Sequence, residues 1–365
     1  MKQTLTRVIQ HFQIEGELVS CEPTGNGHIN DSYAVCVSAA DASRYVVQRI
    51  NHQVFPDPVG LMQNITRVTD FIRQQLKESG NWDSRRVLTV IPNKDGSSYY
   101  KDPEGNYWRV YVMIEDAVSY DAFQNEDQAF KVGEAFGNFQ RMLAPLNDPP
   151  LNHVIPHFHD GPRRLAAFEE VLAADPHKRA VHAQTEIDDL KAHAHLFQVI
   201  PNLFASGQLP MRVTHNDTKV NNVLLDKHSD DVLCVIDLDT VMPGSALFDF
   251  GDMIRTGANT GAEDDQDLDR VGLDESLFKA MTRGYLSGAG DMLTSVERDH
   301  LFFSARLITL MIGTRFLTDY LAGDTYFKIH RPQHNLERTR AQFKLLHDMN
   351  QREAAMVQWV KELQI

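Results

Sequence analysis

Residues 213–226 read VTHNDTKVNNVLLD, and residues 232–240 read VLCVIDLDT. These two stretches decide the fold. His215, Asp217 and Asn222 stand in the spacing H-x-D-x-x-x-x-N, and an apolar run (Val232, Leu233, Val235, Ile236) then ends in an acid, Asp237. The chemistry explains the spacing. An aspartate that orients or deprotonates an attacking hydroxyl must lie one short loop ahead of an asparagine that reaches a metal bridging phosphates. Asp237 is the second expected ligand, since Mg²⁺ takes oxygen donors and keeps several waters. Lys219, two residues beyond Asp217, is placed to extend an ammonium toward a phosphoryl group in transfer. The plainer alternative is that His215 and Asp217 cap a turn and Asn222 begins a strand. The loop, the apolar strand and the acid at its end together favour catalysis.

Upstream, residues 17–22, 32–38 and 44–50 are short, rich in Val and Tyr, and separated by turn-forming residues, which predicts three strands. Leu61, Ile65, Val68, Phe71, Ile72 and Leu76 recur at helical spacing and predict a helix over 59–77. Two further strands are expected near 86–91 and 107–114, set apart by the turns NKDGSS and DPEG. GNGHIN (25–30) falls between the first two strands, where Gly25 and Gly27 permit positive φ and a close backbone approach to phosphate. His28 and Asn30 add polar contacts for phosphate or substrate. From 123 to 207 the pattern is helical, broken by LNDPPLNHVIP; a strand pair, 222–226 and 232–238, brackets HSDD; and 247–365 is again helical. The expected fold is α+β and protein-kinase-like. It has a small antiparallel β lobe with one helix (1–114, nucleotide-binding) and a large, mainly helical lobe (115–365, catalytic and substrate-binding).

Composition narrows the partners. A net charge of −14 over 365 residues argues against nucleic acid or anionic lipid, both of which call for basic faces. Cys21, Cys36 and Cys234 show no C-x-x-C spacing, as expected of reduced thiols. The N-terminal stretch MKQTLTRVIQHFQIEG is amphipathic and has no signal-peptide core, and no apolar run approaches the ~18 residues of a membrane span. The expectation is a cytoplasmic, monomeric protein.

The stretches GNGHIN (25–30), NHQVFPD (51–57), HFHD (157–160), THNDTKVNN (214–222), IDLDTVMPGS (236–245), DFGD (249–252) and RFLTDYLAGDTYF (315–327) resemble the aminoglycoside phosphotransferase and choline kinase superfamily. Within it they are most similar to the N-acetylhexosamine 1-kinases. The resemblance covers nearly the whole chain and implies ATP as phosphoryl donor, Mg²⁺ as cofactor, and the C1 hydroxyl of N-acetylglucosamine or N-acetylgalactosamine as acceptor, a small neutral sugar. The catalytic loop does not separate this reading from a kinase of another sugar, an aminoglycoside, choline or homoserine. A nucleotide-binding pseudokinase is the alternative of another class.

The resemblance also implies that adenine binds the backbone near Ile114 and Glu115, that Asp249 supports the catalytic loop together with His215, and that His28, Arg315 and Tyr326 contact substrate. For Arg315 the plainer role is a salt bridge. Asp239 shares a face with Asp237 if the strand continues, and would bind either a sugar hydroxyl or backbone. His157 and His159 form an H-x-H pair without a third zinc ligand at the usual spacing, which favours a structural role. One departure stands out. Kinases carry a phosphate-binding lysine on the third strand, and here Gln48 takes that place, with Arg49 on the opposite face.

Overall fold

The computed structural model describes residues 1–25, 29–38, 43–146 and 148–363. Its strands are β1 (Leu18–Pro23), β2 (Asp31–Val37), β3 (Ser43–Ile50), β4 (Tyr100–Lys101), β5 (Tyr107–Val112), β6 (Ala117–Val118), β7 (Arg212–Thr214), β8 (Val223–Asp226), β9 (Val232–Val235) and β10 (Met242–Gly244). Its helices are α1 (Lys2–Ile9), α2 (Pro58–Glu78), α3 (Glu126–Leu143), α4 (Gly161–Ala174), α5 (Gln184–His193), α6 (Val199–Ala205), α7 (Ala246–Gly257), α8 (Glu275–Ala289), α9 (Ser295–Asp299), α10 (Leu301–Leu321) and α11 (His334–Glu362). Contacts gather the chain into two units. The first comprises Met1–Val118, Pro145–Pro156 and Leu224–Pro243; the second comprises Ser119–Ala144, His157–Val223 and Gly244–Ile365.

The first unit is built on an antiparallel sheet in the order β1-β2-β3-β5-β4. Alternation along β2, β3 and β5 sends Val35, Val37, Val47, Trp108 and Val110 to one face, where Leu5, Val8 and Ile9 of α1 and Phe12 cover them. The amphipathic N-terminus is therefore a second helix of this unit, beyond the single helix expected. The strand expected at 86–91 is reduced to two backbone bonds, Ile91 N–H to the Val110 carbonyl at 2.8 Å and Val112 N–H to the Thr89 carbonyl at 2.9 Å. Pro92 has no N–H with which to continue that ladder, and β4 pairs with the remainder of β5.

Two later segments return to this unit, so it is not a continuous N-terminal piece. Ala117 and Val118 pair with Asp226 and Leu225, and Arg85 Nη1 donates to Asp226 at 2.7 Å. Helix α2 starts at Pro58 with Asp57 accepting the Gly60 N–H. Its Asn64 ties both returning segments, donating to the carbonyls of Asn152 at 2.8 Å and Val241 at 3.0 Å.

In the second unit α3 crosses α8 at very short range, and glycines make this possible. A Cβ at Gly133 or Gly137 of α3 would lie 2.3 Å from the Met281 or Tyr285 carbonyl oxygen. A Cβ at Gly284 or Gly288 of α8 would lie 2.0 or 2.2 Å from the Phe130 or Glu134 carbonyl oxygen. Helix α10 packs on α4, α7 and α11. Among the described residues it is the one helix long and apolar enough to cross a membrane, and 78% of that apolar stretch is buried within the protein.

Candidate active site

The loop 214–222 belongs to the second unit, and its backbone is clamped first. Thr214, His215, Asn216, Thr218 and Asn222 are buried, and Asn216 turns through φ 65°, a left-handed conformation asparagine tolerates well. Asp249, on the first turn of α7, holds that turn. Its Oδ2 accepts the His215 N–H at 2.8 Å, and its Oδ1 accepts the Asn216 N–H at 2.6 Å. Gln140 of α3 donates to the same Oδ2 at 2.5 Å and accepts the Tyr285 hydroxyl of α8 at 2.5 Å. The close α3–α8 crossing is thus wired to the loop. Burial raises the Asp249 carboxyl above its usual range, and His215 and the N–H donors offset part of this. The His215 ring packs against Phe136 and Phe139, with centroids 5.9 and 5.6 Å away.

On this clamped backbone Asp217 stays half-buried, with Lys219 Nζ 3.0 Å from its Oδ1. Asn222 donates Nδ2 to the Asp217 carbonyl at 2.8 Å and to its Oδ2 at 3.3 Å. Desolvation pushes the Asp217 carboxyl up, but Lys219, with His215 and Arg255 behind it, holds it below the ordinary range. Asp217 in turn raises the Lys219 ammonium, aided by Asp252 and Glu263. Arg255 pairs with both of those acids, at 2.8 Å to Asp252 and 2.9 Å to Glu263. An ionised carboxylate of this kind can orient a hydroxyl and take its proton, while the ammonium meets charge on the transferred group. Asn222 spends its N–H on Asp217, which leaves the amide oxygen as a hard donor suited to a divalent cation.

Asp237 lies in the first unit, and its backbone corrects an expectation. Strand β9 stops at Val235, Asp237 adopts φ 58° and ψ 55°, and Leu238–Thr240 turns as a short 3-10 helix. Asp237 and Asp239 therefore do not share a strand face. Asp239 is buried; its Oδ1 accepts Arg109 Nη1 at 2.5 Å and its Oδ2 accepts Asn30 Nδ2 at 2.6 Å. Each oxygen accepts a donor from inside this unit. Arg109 stands on β5 opposite Gln48 of β3 and donates Nε to the Gln48 side-chain oxygen at 2.9 Å. Burial penalises its charge, yet Asp239, with Tyr111 and Asp237, holds it protonated above the ordinary guanidinium range. Arg49 faces away, paired with Asp31.

Gly25 has φ 78°, which only glycine adopts freely; Gly27 and His28 lie outside the described residues. Ile114 and Glu115 follow β5, where Glu115 is exposed and pairs with Arg44 at 3.0 Å.

Arg315 and Tyr326 meet in the second unit, Nη2 to hydroxyl at 3.5 Å. Asp319 of α10 arranges this by accepting the N–H groups of Thr325, Tyr326 and Phe327. The Arg315 guanidinium lies over the rings of Phe158, Tyr326 and Phe327 at 5.3 to 5.6 Å. His159, packed between Phe158 and Phe248, is kept neutral. Desolvation, then Arg315 and Arg164, lowers it to about 3. Arg164 is itself lowered to about 10 by burial and Arg315. His157 is exposed, beside Asp160 at 3.4 Å.

The structure thus brings Asp217, Lys219, Asn222, His215 and Asp249 together in the second unit, and Arg315 with Tyr326 in that same unit. Gly25, Ile114, Glu115, Asp237 and Asp239 belong to the first. Arg109 and Arg164 carry no motif in the sequence, and their surroundings alone mark them.

Residues 20–285 match the model of the APH family, described as a phosphotransferase enzyme family. Among solved structures, an aminoglycoside phosphotransferase from Alicyclobacillus acidocaldarius superposes with TM-score 0.62 at 13% identity, covering 98% of this chain and 96% of that one. A choline kinase from Cryptosporidium parvum gives TM-score 0.60 at 13% identity, with 99% and 98% covered. An amicoumacin kinase in complex with AMP-PNP and Ca²⁺ gives 0.57 at 13%, with 94% and 91% covered. These likenesses show the fold, an antiparallel sheet followed by a mainly helical region. The family match shows the membership: the chain belongs to the APH phosphotransferase family and is a small-molecule kinase acting on a hydroxyl group.

Proposed function

We propose that this kinase transfers the γ-phosphoryl group of ATP, with Mg²⁺, to the C1 hydroxyl of an N-acetylhexosamine of gluco or galacto configuration. Asp217 orients the hydroxyl and takes its proton, and Lys219 offsets charge in a loose transition state. The Asn222 amide oxygen and the Asp237 carboxylate supply hard donors for the cation, which when bound neutralises charge on the phosphate oxygens. Gly25 and Gly27 serve the phosphates, and the backbone at Ile114 and Glu115 serves adenine. His28, Arg315 and Tyr326 serve the sugar. In this reading residues 1–114 bind nucleotide, and residues 115–365 carry catalysis and the acceptor.

One observation carries the choice of acceptor. Choline binds in a cage of aromatic faces. Here Phe158, Tyr326 and Phe327 already surround the Arg315 guanidinium, so a cationic acceptor would meet like charge. Among the described residues no carboxylate pairs with Arg315. The buried Arg164 Nε and His159 Nε2 lack hydrogen-bond partners. This surface suits a neutral acceptor rich in oxygen and disfavours choline, ethanolamine and polycationic aminoglycosides.

Mg·ATP consumption with a panel of acceptors tests the proposal. Rapid turnover is expected with N-acetylglucosamine and N-acetylgalactosamine, and little above background with choline, homoserine or an aminoglycoside. Rapid turnover of choline with none for either N-acetylhexosamine would overturn it.

A further inference from the structure

The strand lysine and helix glutamate that brace the donor phosphates in many kinases have no counterpart on β3 and α2 among the described residues. Gln48 holds the lysine position, and the buried face of α2 carries no acid. We propose that the buried pair Arg109–Asp239 does the bracing instead: Arg109 is a positioning residue that, through Asp239, fixes the turn presenting Asp237 to the metal.

The pair is nearly inaccessible, with side-chain exposures of 1% and 4%. Burying two charges is costly, and an apolar pair of similar size commonly serves stability as well or better. Its retention in the interior calls for another role, and its connections supply one. Ser32 Oγ accepts Gln48 Nε2 at 2.8 Å, and the Gln48 side-chain oxygen accepts Arg109 Nε at 2.9 Å. Arg109 Nη1 reaches Asp239 Oδ1 at 2.5 Å, and Asp239 Oδ2 accepts Asn30 Nδ2 at 2.6 Å. Asn30 Oδ1 then accepts the Asn51 N–H at 2.9 Å. One hydrogen-bonded chain therefore joins β2, β3, β5, the end of GNGHIN and the Leu238–Thr240 turn. Asp237 lies two residues before Asp239 and holds φ 58°. Left-handed backbone is sparsely populated even by aspartate, which tolerates it better than most residues, and the hydrogen-bonded Asp239 helps to hold that turn. The Arg109 guanidinium also lies over Tyr111, 5.2 Å from the ring centroid.

The inference rests on Asp237 as a metal ligand, so the test includes Asp237→Ala beside Arg109→Met, Asp239→Asn and the apolar double variant Arg109→Met/Asp239→Leu. Mg²⁺ for half-maximal activity, KM for ATP, KM for the acceptor and the melting temperature are measured for each. Removing a partner that orients a metal ligand weakens metal affinity by about 10–100-fold. A rise of that size in the Mg²⁺ requirement is expected in every variant, with the acceptor KM unchanged. The double variant avoids leaving a lone buried charge, so it should keep the fold while still losing metal affinity. Asp239→Asn, which preserves size, gives the same readout if the double variant fails to fold. A purely structural pair would lower the melting temperature and leave the metal requirement of the folded protein at the wild-type value; that result overturns the inference. If Asp237→Ala also leaves the requirement unchanged, the metal reading of Asp237 falls with it. If Asp237→Ala raises it alone, only the role of Arg109 and Asp239 is lost.

Discussion

Asp217 and Lys219 sit 3.0 Å apart on a loop whose backbone is fixed by Asp249, so the chemistry of each depends on the other. Asp217→Asn keeps the shape and removes the proposed base. The expected result is a kcat lowered by roughly 10²–10⁴-fold with the melting temperature and KM for ATP near wild type; activity within a few-fold of wild type would remove Asp217 from its role. The pH profile tests the ion pair itself. Desolvation raises the Asp217 carboxyl and Lys219 more than compensates, so its folded pKa lies below the ordinary value of 3.8. A depressed carboxylate contributes stability that is full above the unfolded pKa and lost as pH falls through the folded one. Asp217 is therefore ionised throughout pH 5–8 and gives no acid limb there. Lys219→Met removes the main lowering influence, so the acid limb of kcat should move upward; an unmoved limb would mean that Lys219 does not set this carboxylate. The spacing of His215, Asp217 and Asn222 made the loop legible in the sequence. Arg109 was not legible, because an arginine in YWRVYV looks like any strand residue and its partner Asp239 is 130 positions away.

Helices α3 and α8 carry the next level of the account, since their contact holds Gln140 and Tyr285 against Asp249. The glycines of both helices are what permit the approach. Gly284→Ala would place a methyl 2.0 Å from the Phe130 carbonyl oxygen, and backbone cannot yield as a flexible side chain can. Overpacking of this kind typically costs about 1–3 kcal/mol, so chemical denaturation should show a loss of that order together with a lower kcat. A variant as stable and active as wild type would show that the crossing is looser than described. Both pairs stand in G-x-x-x-G spacing, GEAFG at 133–137 and GYLSG at 284–288, which puts each pair on one helix face, but which partner that face meets is a property of two helices far apart in the chain. Periodicity did reveal α2, and alternation revealed β1, β2, β3 and β5. It failed at 86–91, where an apolar run earns two backbone bonds before Pro92, and at β4, whose two residues carry no pattern of their own. The continuation of β9 through Asp239 failed for a related reason: a left-handed residue at Asp237 ends the strand, and although aspartate tolerates that conformation, most aspartates do not adopt it.

For the whole molecule, composition and motif order were enough to indicate an α+β kinase, and the family match covering 20–285 agrees. A linear split of the chain could not show how segments 145–156 and 224–243 rejoin the first unit, since that depends on pairings such as β6 with β8. The thiols report on the integrity of that unit. Cys21 and Cys36 are partly exposed, whereas Cys234 is buried and its thiol pushed up to about 12. A thiol reagent at pH 8 should thus modify the first two in the native protein and Cys234 only when the unit unfolds; rapid native labelling of Cys234 would contradict its burial. The central claim concerns the product. Phosphorus NMR of the material formed from N-acetylglucosamine and Mg·ATP locates the phosphate directly: the account predicts an anomeric phosphate whose signal is coupled to H1, and a 6-phosphate, or unreacted sugar beside rapid phosphorylation of choline, would contradict it.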